Sequence, residues 1–142
     1  MLFNNNLKES SKKHIVSKLQ NKIDSNDIVM LTTIDLRGKP KSRPLRLLNG
    51  YKSESLCFFS NEFFGKINEI VQNPLVCLSY SNPPTKTYLS MIGQAYINND
   101  PQQMQELWQP ILKEWFPACL KTPNLALLII NIEEIQEWGI MA

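Results

Sequence analysis

Histidine is nearly absent from this chain: His14 is the only one, set in a lysine-rich stretch of helical periodicity. Nucleophilic sites of the Ser-His-Asp or Cys-His kind, and histidine-rich metal sites, have little to draw on. His14 reads as a surface residue. Cysteine is scarce too. Cys57, Cys77 and Cys119 are odd in number, widely spaced and form no C-x-x-C pair, which argues against a disulfide framework and a zinc site. Cys57 and Cys77 read as small apolar strand residues in a reducing cytoplasm. An excess of one charge is also lacking. Lys and Arg number 15 against 13 Asp and Glu, a net charge of +2, too little to argue for a nucleic-acid partner. Lys12-Lys13 fits a solvated helix face. The first residues, MLFNNNLKESSKK, lack the apolar run of a secretory signal, and no stretch approaches membrane-spanning length.

What remains is an ordinary globular composition, 43% hydrophobic and 20% charged over 142 residues. That suits one domain, 1–142, able to bury about two-thirds of its unfolded surface. With no side-chain nucleophile-and-base set, any chemistry points to a cofactor.

The periodicity predicts mostly strands. Ser10 or Ser11 can cap a first helix with Ile15, Val16, Leu19 and Ile23 on its apolar side. A strand over 28–34 is followed by Asp35-Leu36-Arg37-Gly38, a turn signature with Asp first and Gly fourth, and by a return strand over 40–48. A third strand covers 56–60. Ile67, Ile70 and Val71 share a helical face that Asn73-Pro74 stops. Strands over 75–80 and 87–97 come next, the longer with a bulge expected at Gly93. Asp100 caps a third helix carrying Met104, Leu107, Trp108, Ile111 and Leu112, which Pro110 should kink or divide. A sixth strand covers 125–132, and 135–138 extends the sheet. Hairpins with inserted helices predict a mainly β fold, a six- to seven-stranded antiparallel split barrel with peripheral helices, rather than βαβ units.

Three features bear on function. In 41–48, alternation puts Arg43 on one face with Leu45 and Leu47. Either this is an exposed edge strand with solvated arginines, or Arg43 is buried and answered by an anion. Pro44 removes a ladder donor and places the segment at an edge or opening. Secondly, the strand ending Phe58-Phe59-Ser60-Asn61 leads into a helix opening at Phe63-Phe64-Gly65-Lys66-Ile67. A helix start favours phosphate, and Lys66 adds charge there, although the spacing is not that of a P-loop. Thirdly, Trp108 and Trp115 share a face if their helix is continuous; they serve either helix-to-barrel packing or as a wall for a flat ligand.

Together these segments resemble the pyridoxamine 5'-phosphate oxidase-like split barrels of the general-stress-protein type. The resemblance runs from about Ile15 to Trp138. It is carried by V-M-L-T-T-I-D-L-R-G-K-P (29–40), S-R-P-L (42–45), C-F-F-S-N…G-K-I-N-E-I-V-Q-N-P (57–74), V-C-L-S-Y (76–80), L-S-M-I-G-Q-A (89–95), L-W-Q-P-I-L-K-E-W-F-P (107–117) and P-N-L-A-L-L (123–128). It implies a homodimer with FMN in clefts between subunits, acting as a flavin-dependent oxidoreductase or as a non-catalytic storage, sensing or stress-response module. By the same resemblance Arg43 and Lys66 hold the FMN phosphate, while Leu45, Phe59, Ser60 and Asn61 line the ribityl chain and ring. Tyr88 and Trp108, with Trp115, come from the other subunit. Gly65 stands where the family often has a hydroxyl residue, and no arginine-bearing segment follows Trp138-Gly139. Genuine pyridoxamine 5'-phosphate oxidase activity is therefore not expected.

Overall fold

Period-two alternation, the pattern of a sheet with one buried face, organises most of the chain. The computed structural model describes residues 2–5, 23, 27–48, 55–62, 70 and 72–138. Their strands are β1 (Leu2–Asn5), β2 (Ile28–Ile34), β3 (Pro40–Arg46), β4 (Ser55–Ser60), β5 (Leu75–Asn82), β6 (Thr87–Asn98) and β7 (Ala126–Trp138), and the α-helix α1 (Pro101–Leu107) lies between β6 and β7. Every pairing is antiparallel, in the order β1-β7-β6-β5-β2-β3, and β4 also pairs with β7. β7 is long enough to serve two neighbours on one edge: β4 along 126–131 and β1 along 135–138.

The sheet curls until β3 approaches β4. Leu47 bridges Phe58, and the Leu48 N–H donates to the Cys57 carbonyl at 3.0 Å. Among the described residues this is the only bridge across that seam. Pro40 and Pro44 lack donors, as suits a strand at the end of a sheet path. The result is a split barrel.

Two cores follow from alternation on β4 and β7. Leu56, Phe58, Leu128 and Ile130 point into the barrel with Val29, Leu31, Leu78 and Met91. Cys57, Phe59, Leu127 and Ile129 point outward, where Met104, Leu112 and Phe116 cover them. Burial on both faces is why 125–130 reads as an unbroken apolar run. Asp100 caps α1 as expected, its Oδ2 accepting the Gln103 N–H at 3.2 Å. A seven-residue helix is marginal alone; Met104 in the outer core ties it down.

The structure corrects the sequence reading in places. The third helix ends at Leu107. Trp108 (φ −63, ψ 135) and Gln109 (φ −126, ψ 139) are extended and a 3-10 turn follows at Pro110–Glu114; Pro110 divides the helix as expected, since it disfavours helical geometry in Gln109 before it. Trp108 and Trp115 therefore share no helical face, yet both pack on the outer core. β7 is one continuous strand, and β1 was not anticipated. Most of the expected first and second helices lies outside the described residues; Ile70 and Gln72 are helical, as expected of the second, and Ile23 and Ile70 are buried in the barrel core. The 35–38 turn is as expected. Gly38 has φ +81, and Asp35 Oδ1 accepts the Lys39 and Arg37 N–H groups at 2.9 and 2.8 Å. These bonds, Lys39's foremost, hold the Asp35 carboxyl below its ordinary pKa.

The irregularity at Gly93 is real, but the extra residue is in β7. Ile92 faces Glu134 and Gly93 faces Ile132, which leaves Glu133 over. A Cβ on Gly93 would land on the Asn131 carbonyl oxygen and 2.9 Å from Ile130 Cγ2. In an open strand, alanine would gain about 0.5–1 kcal/mol over glycine. Here Gly93→Ala is expected to cost about 1–3 kcal/mol through overpacking. Urea unfolding should show a lower midpoint at unchanged slope; a raised midpoint would refute so close an approach.

Candidate functional site

Alternation along β3 turns Arg43 and Leu45 to the barrel side, and both are buried, Arg43 at 8% exposure. The solvated-edge alternative therefore does not hold for Arg43. Its Nη1 donates to Thr33 Oγ1 at 2.7 Å, and Thr33 is itself buried on the inner face of β2. Its Nε lies 3.2 Å from Glu62 Oε2. A guanidinium kept from water is costly unless charge and hydrogen bonds answer it. Here a hydroxyl and a carboxylate do so.

Glu62 reaches this position through a local device. Ser60, the last residue of β4, accepts the Glu62 N–H on its hydroxyl at 3.2 Å, bending the chain at Asn61–Glu62 in the manner of a serine turn. Extending the Leu47–Phe58 register puts Leu45 opposite Ser60 and Arg43 opposite Glu62, and the ion pair agrees with the second pairing. The seam thus gathers Arg43, Leu45, Ser60 and Asn61, together with Thr33 and Glu62, which sequence reasoning missed. Thr33 carried a signal, as a polar residue in phase with Val29 and Leu31. Glu62 carried none, since its contact depends on the seam.

Phe59 faces the other way, into the outer core. Its ring meets Trp108 edge-on, centroids 5.4 Å apart at 67°. Trp115 lies under Arg46, whose guanidinium carbon is 5.6 Å from the ring centroid and whose Nη2 is 3.8 Å from Glu114. Tyr88 sits on β6, two strands removed from β2, and does not meet Arg43 within one chain. Lys66 lies outside the described residues. An open groove of about 430 Å³ between α1 and residues 120–125 includes Met104, Leu120 and Thr122 in its lining but none of the seam residues.

Among the described residues no three His, Cys, Asp or Glu side chains come together as a metal site, and no helix is long and apolar enough to cross a membrane. Cys57 is buried, and loss of hydration pushes its thiol up to about 12, so it stays protonated and non-nucleophilic near neutrality.

Comparison with known proteins follows the same lines. A family model described as "Pyridoxamine 5'-phosphate oxidase like" matches residues 14–141. General stress protein 26 of Bacillus subtilis (strain 168) is 27% identical over 131 residues, 86% of each chain. Two solved structures share the fold. The general stress FMN/FAD binding protein of Xanthomonas citri has a TM-score of 0.71 at 24% identity and 92% coverage of each chain. A Clostridium acetobutylicum protein related to general stress protein 26 also scores 0.71, at 17% identity, covering 96% of this chain and 93% of its own.

The thiols give a direct check on the packing. At pH 8 a chromogenic disulfide reagent should label the partly exposed Cys119, while Cys57 reacts only after denaturant is added. Rapid labelling of Cys57 in the folded protein would contradict its burial against the outer core.

Proposed function

The chain belongs to the pyridoxamine 5'-phosphate oxidase-like family, and we propose that it is an FMN-binding flavoprotein, a homodimer with one flavin in each cleft between subunits. The observation that carries this reading is Arg43, a buried cation at the opening of the barrel seam, held by the Thr33 hydroxyl and already engaged by the Glu62 carboxylate. Such a donor set suits a phosphate monoester. Arg43 and Lys66 hold the phosphate. Leu45, Ser60 and Asn61 border the ribityl chain and ring, Phe59 backs them from the outer core instead of facing the flavin, and Tyr88, Trp108 and Trp115 are contributed by the other subunit. When bound, the flavin supplies hydride or electron transfer at its ring; the protein binds it, orients it and keeps one ring face open to a reductant or acceptor. Turnover with NAD(P)H separates an oxidoreductase from a non-catalytic flavin carrier.

The outer sheet face supports a dimer. Outward positions of β2, β5 and β6, alternating along 28–34, 75–81 and 88–96, include no Asp, Glu, Lys or Arg. Ile28, Met30, Leu75 and Tyr96 are 39–53% exposed there. Loss of charge is the mark of an interface core, and a flat face suits a two-fold self-contact.

Two outcomes are expected. Arg43→Gln and Lys66→Ala each remove a charge-assisted contact of about 1.5–3 kcal/mol, so FMN affinity should fall by roughly one to two orders of magnitude while riboflavin is little affected. Equal weakening of both flavins in a titration would place the phosphate elsewhere. Sedimentation should find twice the 16.4 kDa chain mass, and Leu75→Glu should shift it toward monomer. A wild-type monomer with flavin still bound would contradict the shared cleft.

A further inference from the structure

Arg43 and Glu62 differ sharply in their freedom to move. Arg43 is fixed: its side chain is buried, it projects from a paired strand, and Thr33 Oγ1 holds its Nη1 at 2.7 Å. Glu62 sits on a bend, its side chain 41% exposed, and only its backbone N–H is tied down, by Ser60 Oγ. Swinging the Glu62 carboxylate into water restores its hydration at little cost. Withdrawing the Arg43 guanidinium would mean breaking the barrel wall. An anionic ligand that approaches the Nε edge of Arg43 therefore meets a carboxylate that can leave.

We propose that Glu62 is a built-in competitor for the anion seat at Arg43, a gate that an incoming phosphate monoester must displace. This rests on the phosphate reading of Arg43 given above. The physical consequence is selectivity by charge. A monoanion replacing the tethered carboxylate gains no charge and pays the entropy of ordering a free ion. A phosphate monoester brings nearly two negative charges and more acceptor oxygens to the same guanidinium. The gate also keeps a buried cation answered, which the fold requires. Its cost is affinity: the apparent dissociation constant rises by the reciprocal of the fraction of molecules in which Glu62 has swung away.

The test compares the full-length wild type with Glu62→Gln, which keeps the side chain's shape and removes its charge, and with Glu62→Asp, which shortens its reach. Each is titrated with FMN and riboflavin by flavin fluorescence, and with inorganic phosphate by thermal shift. Glu62→Gln should bind FMN roughly threefold to tenfold more tightly, the range open to a partly exposed ion pair, with riboflavin unchanged and Glu62→Asp in between. FMN affinity unchanged or weaker in Glu62→Gln would overturn the gate, as would an equal gain for riboflavin. If the wild type binds neither flavin, the flavin reading fails and the phosphate titration still decides. Stabilisation of Glu62→Gln at lower phosphate concentration than wild type supports the gate; identical curves overturn it.

Discussion

A cation on the inside of a barrel wall is the constraint around which the rest of this molecule is arranged. Arg43 is placed there by alternation, and alternation allows no compromise: a one-residue slip would bury Ser42 and Pro44 and expose Leu45. The register is held by seven paired positions between β2 and β3. Thr33, on the neighbouring strand, supplies one acceptor. The other comes from across the seam, where β4 ends in a serine turn that brings Glu62 within 3.2 Å. An ion pair in such a place is poor evidence of stability, since burial costs offset much of its attraction. On the proposed reading the pair holds the guanidinium in place for an anion.

The split in the barrel is the second half of the arrangement. Prolines at 40 and 44 mark β3 as the end of the sheet path, and the Leu47–Phe58 bridge pins the seam at one point. Arg43 and Glu62 lie beyond that pin. The outer core of Phe59, Leu112, Phe116 and Trp108 braces β4 from behind, so one wall of the opening is rigid. An uncharged outer face on β2, β5 and β6 offers a surface for a second copy. One sheet thus provides a core, a buried cation at the seam and an uncharged outer face, each on different positions of the same alternating strands.

Much of this was legible in the sequence where the signal was local. The 28–34 strand, its turn at Asp35–Gly38 and the Asp100 cap follow from neighbouring residues, and the structure places them as read. Arg43 was legible as a charge in phase with Leu45 and Leu47, with burial and a solvated edge left as alternatives that only the structure separates. Contacts that depend on closure of the sheet left no trace. Glu62 meets Arg43 only because β3 and β4 converge. β1, with the segment Leu2–Asn5, has two asparagines and little strand propensity, and it is held by the free edge of β7. The break in the third helix was legible too: Pro110 divides the apolar stripe, as its ring chemistry requires, although the helix already ends at Leu107.

The most direct examination of the account is to watch Arg43 itself. In nitrogen-labelled protein the Arg43 Nε–H resonance can be assigned by its loss in Arg43→Gln and followed as flavin is added. FMN should shift that resonance to saturation in step with binding, and riboflavin should leave it in place while still binding. An Arg43 resonance unmoved by saturating FMN would contradict the claim that this buried guanidinium is the seat of the phosphate.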